Sequence, residues 1–167
     1  HLLLSLLCCY YTSAALAQGN VRTALNNQIQ YIQTGSQQVE RMVESMGELY
    51  PKVLAAAAGK GRNGITYQCP YNDESYDRTQ AQSKSGAQGQ QLQPASEAFQ
   101  TALEAVARQC QGLDTYFKLE TFKTDQYAGA LALVKEMPAL VAVFSKNKQV
   151  YEAKIAHLSP KQRAAGP

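Results

Sequence analysis

Residues 113–133 read LDTYFKLETFKTDQYAGALAL, and this stretch decides the fold. An aromatic helix end carrying Tyr116 and Phe117 runs into a short polar turn, which restarts at Tyr127 as a second apolar-periodic segment. Two long helical patterns meet here, so the corner sets how they pack. Phe117 closes one apolar face, and Phe122 and Tyr127 are expected to pack across the joint. Thr124, or Thr121 a turn earlier, can cap the next helix. Asp125 and Gln126 suit its first turn, where the helix dipole favours a carboxylate.

Working backward, Pro94 fits a first helical position. From it, Ala95, Phe99, Ala102, Leu103, Val106, Cys110, Leu113 and Phe117 trace one face of a helix that ends near Leu119 or Glu120. Working forward, Tyr127, Leu131, Val134, Leu140, Val141, Phe144, Val150, Tyr151, Ile155 and Leu158 form the next pattern. Pro138 interrupts it, which predicts either a kinked continuous helix or a break with a fresh start. Ser159-Pro160 ends the pattern, and 159–167 reads as a flexible tail.

The first long pattern begins after Asn20, a plausible N-cap. Val21, Leu25, Ile29, Ile32, Ser36, Val39, Val43, Met46, Leu49 and Val53 recur at steps of three and four. Pro51, facing the carbonyl of Gly47, predicts a kink or break near its end. Residues 59–93 are poor in apolar side chains and read as a long loop, with Tyr67, Tyr71 and Tyr76 available to pin it and 65–69 as a short extended piece. The GKGRNG segment inside it lacks the spacing of a phosphate loop. No strand-like alternation persists. The expected architecture is all-α: an elongated antiparallel bundle of three principal helices, up-down-up, in one domain over 18–158.

Residues 1–17, HLLLSLLCCYYTSAALA, combine an apolar run with an A-x-A ending and predict a signal peptide cleaved before Gln18. With no initiator Met or basic segment ahead of the run, it reads as the remainder of a longer leader. A buried N-terminal helix is the plainer alternative. A lipoprotein leader acylated at Cys8 or Cys9 fits less well, because Leu7 and Cys8 are not the small residues that precede a lipidated cysteine; membrane anchoring is expected only in that case.

Cleavage leaves Cys69 and Cys110, and two cysteines in an exported chain predict one disulfide. It would tether the polar loop to the second helix and stabilise the fold by roughly 4 kcal/mol in the chain-entropy model. The alternative is a free buried Cys110 with an exposed Cys69.

The net charge of +3 is spread from Arg22 to Arg163 rather than clustered. Nucleic-acid binding is therefore not expected. His157 is the one histidine beyond the leader, so no Ser-His-Asp or Cys-His set assembles without it, and it reads as a helix C-terminal residue. No metal site and no cofactor are expected. Glu120 and Asp125 flank the corner as a nominal acid pair, better explained by capping and surface charge. The aromatic group Tyr116, Phe117, Phe122 and Tyr127 reads as packing, with a ligand pocket or partner groove as the sharper possibility.

The segment LQPASEAFQTALEAVARQCQGLDTYFKLETFKTDQYAGALALVKEMPALVAVF resembles the YiiG-like family of bacterial envelope proteins (domain of unknown function 3829). The resemblance rests on Tyr116-Phe117, on Phe122-Lys123-Thr124-Asp125, and on Ala128-Gly129, with Tyr31 in a similar opening helix. It implies an exported, often lipid-anchored helical protein without known activity, and no catalytic residues carry over. The expected function is non-catalytic binding or scaffolding of an unidentified protein partner in the periplasm or envelope. A small-ligand protein using the aromatic corner, or a hydrolase using Glu120 and Asp125, is the alternative.

Overall fold

The structure, a computed structural model, describes residues 2–60, 64–84 and 86–159, without the side chains of 2–19, 75 and 86–88. The expected tail beyond Ser159 and positions 61–63 of GKGRNG lie outside the described residues, as do the side chains of the leader, Cys8 and Cys9 among them. All the regular structure among the described residues is helical: α1 (Leu2–Ala57), α2 (Asp73–Ser83), α3 (Gly86–Lys118), α4 (Phe122–Asp125) and α5 (Ala128–Leu158).

The core follows a seven-residue repeat. In α1 the inward positions are Leu25, Gln28, Ile32, Gly35, Val39, Met42, Met46, Leu49 and Val53. In α3 they are Leu92, Ser96, Phe99, Leu103, Val106, Cys110, Leu113 and Phe117. In α5, Ala130, Met137, Phe144 and Tyr151 each fall one heptad apart. Steps alternating between three and four average 3.5 residues, so the seam stays turned toward its neighbours along the helix, as in coiled coils. The expected α1 stripe was partly misplaced: Ile29 and Val43 are 42% and 38% exposed, whereas Gln28, Tyr31, Gln38 and Met42 are buried. Buried glutamines are tolerated because each finds a partner, Gln28 donating to Ser83 O and Gln38 accepting from the Asn72 N–H.

Specific contacts give the chain direction. Asn72, Tyr76 and Ser83 meet Gln38, Tyr31 and Gln28 in turn, so α2 runs antiparallel to α1. Phe99 meets Phe144 and Tyr151 while Gln109 bonds Leu133, so α3 and α5 are antiparallel. Tyr31 and Gly35 lie on Phe99, and farther along both helices Tyr67 reaches both Ser45 and Cys110. Helices α1 and α3 therefore point the same way, which corrects the up-down-up reading. The segment between them carries the chain back along α1.

That segment is also more ordered than a loop. Residues 59–93 hold all of α2 and the start of α3. Asp73 and Glu74 sit in the first turn of α2, where the dipole favours them, and Tyr76 seats the helix in the core. Three expected helix boundaries also move. Asn20 lies within α1, Pro94 lies within α3, and Pro51 does not break α1. Pro138 lies inside a continuous α5. All three prolines face solvent, so water can satisfy the carbonyl each one orphans. Gly47, opposite Pro51, has open space around it.

Candidate functional site

The corner between α3 and α5 is built from capping chemistry. Helix α3 ends in a paired closure: the Glu120 N–H donates to Phe117 O at 3.1 Å and the Thr121 N–H to Tyr116 O at 3.2 Å. This geometry needs a left-handed residue, usually glycine, and here Glu120 adopts it at φ 53°. Gln126 and Tyr127 are left-handed as well, at φ 53° and 68°. Three such residues in one short joint cost of order 1 kcal/mol each, and the surrounding contacts must hold them.

Asp125 is the principal holder. Its Oδ1 accepts from Tyr116 Oη at 2.5 Å and from the Tyr127 N–H at 3.0 Å, and its Oδ2 accepts from the Gly129 N–H at 2.9 Å. The last two bonds satisfy the start of α5. The cap is thus Asp125, not Thr124 or Thr121: Thr121 makes no side-chain cap bond, and the Thr124 hydroxyl donates back to Thr121 O. Partial burial alone would raise the Asp125 carboxyl, but the donors from Tyr116, Gly129 and Tyr127 outweigh it and leave the carboxyl below its ordinary range. Burial, then the carboxylate beside it, push the Tyr116 phenol well up. Gly129 makes the approach possible, since a Cβ there would lie 2.9 Å from both Asp125 Oδ2 and Tyr116 Cε2.

The aromatic residues singled out in the sequence do converge. Phe122 stacks on Tyr127 with ring centroids 5.2 Å apart, Phe117 lies 6.1 Å from Phe122, and Tyr116 meets Phe117 edge-on at 5.3 Å. Tyr116, Phe117 and Tyr127 are buried and Phe122 is half-buried. Glu120 is exposed and pairs with Lys123 at 2.5 Å, so the two corner acids have separate partners. His157 occupies the last turn of α5 and is exposed. Among the described residues no group of three His, Cys, Asp or Glu side chains is placed to hold a metal ion. A shallow cleft of about 190 Å³ opens elsewhere, between the end of α2 and the start of α3, beside Lys84, Gln93 and Glu97.

Cys69 and Cys110 form a disulfide, with Cα atoms 5.5 Å apart. Tyr67 lies over it: its hydroxyl donates to Cys110 Sγ at 3.1 Å, and its ring lies 6.4 Å from Phe117. The bridge therefore ties the returning segment to α3 near the corner.

A second cluster joins residues that the sequence reading placed on separate segments. Tyr31, Tyr76, Phe99, Phe144 and Tyr151 form a buried aromatic group at mid-bundle. It is threaded by hydrogen bonds from Tyr151 Oη to Gln28 Oε1, from Gln28 Nε2 to Ser83 O, and between the hydroxyls of Tyr31 and Tyr76. Burial holds the phenols of Tyr31, Tyr76 and Tyr151 above their ordinary value. The seven-residue spacing of Met137, Phe144 and Tyr151 was a usable signal for part of it, and Tyr76 was read as a residue that could pin its segment; that these residues meet Tyr31 and Phe99 in one group had no local signal.

The chain matches no protein-family model, no curated protein and no solved structure.

Proposed function

We propose that this chain is an exported, non-catalytic helical protein of the bacterial envelope that works by binding or scaffolding a protein partner. The observation that carries this reading is the outer face of α5. Val143 and Val150 stand one heptad apart at 53% and 46% exposure, with Ala139 and Ala153 exposed beside them. The spacing is the one that packs helices inside the bundle, turned outward. On α1, Val43, Tyr50 and Leu54 are exposed in the same manner. By length and composition α5 is also apolar enough to cross a membrane, yet it packs on α3 and α1, which favours a bundle role. Export is supported by the apolar leader and by the Cys69–Cys110 bridge. We infer further that α1, α3 and α5 form one elongated bundle, with α2 as a short fourth member. The likeness to the YiiG-like family, which we carry only as a proposal, rests on the corner motifs and on Tyr31 in the opening helix.

The test is photo-crosslinking from positions 143 and 150 in cells. A discrete protein adduct is expected from both, and Val143→Glu/Val150→Glu should abolish it while leaving the fold intact. Recovery of the uncrosslinked monomer alone would sink the reading.

The alternative, a small-ligand protein using Tyr116, Phe117, Phe122 and Tyr127, has weaker support because three of those side chains are already buried against one another. A hydrolase using Glu120 and Asp125 has less, since Asp125 is committed to three hydrogen bonds and Glu120 to Lys123.

A further inference from the structure

We infer that the Cys69–Cys110 disulfide is a redox latch, and that the returning segment, residues 64–84, is the strap it holds. The inference stands on how that segment is gripped. Helix α2 is eleven residues long, below the length at which an isolated helix persists in water. One large apolar side chain, Tyr76, is buried from it. Ile65, Tyr67 and Tyr71 of the same segment pack partly buried on the core, and Tyr71 and Tyr31 both meet the Tyr76 ring. Alongside these the segment is held by polar contacts, namely the Tyr31–Tyr76 hydroxyl contact, the Gln28 bond to Ser83 O, and Gln38 meeting the backbone of Asn72. Hydrogen bonds of this kind are replaceable by water. The contacts between α3 and α5, by contrast, run through Phe99, Phe144 and Tyr151.

The topology lets the strap leave without pulling the bundle apart. Its ends are fixed by α1 and α3, which point the same way. Extended, residues 58–85 reach roughly 90 Å. The length of α1 they must retrace, from Ala57 to Gln28, is about 44 Å. An unwound strap is therefore slack, and the disulfide is the covalent tie between its middle and the bundle.

The bridge is also placed for exchange. Cys110 is fully buried, whereas Cys69 is partly exposed. A thiolate of a small dithiol attacks Cys69 Sγ. The Cys69–Cys110 bond breaks, and Cys110 leaves as a thiolate that then takes a proton. The second thiolate of the reductant attacks the mixed disulfide, releasing Cys69 and leaving the dithiol oxidised to its own disulfide. Tyr67 already donates to Cys110 Sγ, because a bridged sulfur carries no proton. That bond becomes charge-assisted when Cys110 leaves, which assigns Tyr67 as the donor that steadies the leaving group.

The experiment follows amide hydrogen exchange of the full chain in oxidised and reduced dithiothreitol, with thiol counting to confirm the state of the bridge. Reduction should raise exchange across 73–83 by roughly tenfold or more beyond any rise in the core amides of α3 and α5, which stay protected, and should reverse on reoxidation. Cys69→Ser should give the reduced pattern without reductant. Unchanged exchange at 73–83 in the fully reduced protein overturns the latch. So does loss of protection throughout the bundle, which would make the bridge a global staple. Tyr67→Phe should slow reduction by about threefold to tenfold; an unchanged or faster rate overturns the assignment of Tyr67.

Discussion

Asp125→Ala is the perturbation that tests the corner most directly. The carboxylate accepts from the backbone N–H groups of Tyr127 and Gly129 and from the hydroxyl of Tyr116. Removing an N-terminal cap costs about 0.5–2 kcal/mol. The Tyr116 hydroxyl would also lose its acceptor in a buried setting, which adds about 1–3 kcal/mol. Because Asp125 is only partly buried, water recovers some of this, and the expected loss is about 2–3 kcal/mol. In a chain of this size that lowers Tm by roughly 5–10 °C. Urea unfolding with the disulfide intact is the assay. Asp125→Asn keeps one acceptor but turns an amide donor toward the Gly129 N–H or the Tyr116 hydroxyl, so it should fall between wild type and alanine. Tyr116→Phe alone should cost about 1 kcal/mol. In the Asp125→Ala background it should cost little, leaving a coupling of about 1 kcal/mol or more. The pH dependence has a definite sign. The folded carboxyl is depressed, so its stabilisation is complete above its unfolded value of about 3.9 and fades as pH falls through the folded one. The gap between wild type and Asp125→Asn should therefore close in acid. A loss below about 0.5 kcal/mol for Asp125→Ala, or an equal effect of Tyr116→Phe in both backgrounds, would refute the capping account.

Gly35→Ala would place a methyl 2.7 Å from Phe99 Cζ and 2.8 Å from Leu103 Cδ1. Overpacking of about 1–3 kcal/mol should outweigh the gain in helix propensity of just under 1 kcal/mol, giving a net loss by chemical denaturation; a stabilised variant would mean that Phe99 moves freely. Burial, followed by the carboxylates of Asp73 and Asp77, pushes the Tyr71 phenol up to about 12. The folded protein therefore holds this phenol neutral longer than the unfolded chain does. Its contribution to stability is complete below about pH 10 and is lost as pH rises toward 12. Ultraviolet titration of wild type against Tyr71→Phe should show the missing step near pH 12; a difference centred near pH 10 would contradict the packing of the strap.

The legible parts were those written in local patterns. Helices over the first, second and third long segments follow from apolar recurrence at three- and four-residue steps. The corner at Leu119–Tyr127 follows from a burst of polar and aromatic residues between two such runs. The pairing of Cys69 with Cys110 was the expected one of two readings, and the structure forms it. Which corner acid does the capping was not legible, because Thr121, Thr124 and Asp125 all have cap chemistry and only the left-handed turn at Gln126 and Tyr127 aims Asp125 at the free N–H groups. Proline positions misled for a related reason. Their cost depends on whether the orphaned carbonyl meets water or protein, and exposure is a tertiary property.

By itself, then, the sequence determined a helical chain with an aromatic joint and pointed to the Cys69–Cys110 pair, because periodicity, turn chemistry and cysteine count are local or compositional quantities. Tertiary structure decided the rest. It made α1 and α3 point the same way, turned residues 64–84 into a strap carrying a helix of its own, and drew Gln28, Tyr31 and Tyr151 into one buried network. The physical reason is that a polar side chain earns a place in the core only through partners far away in the chain, and no window along the sequence contains both ends of such a bond.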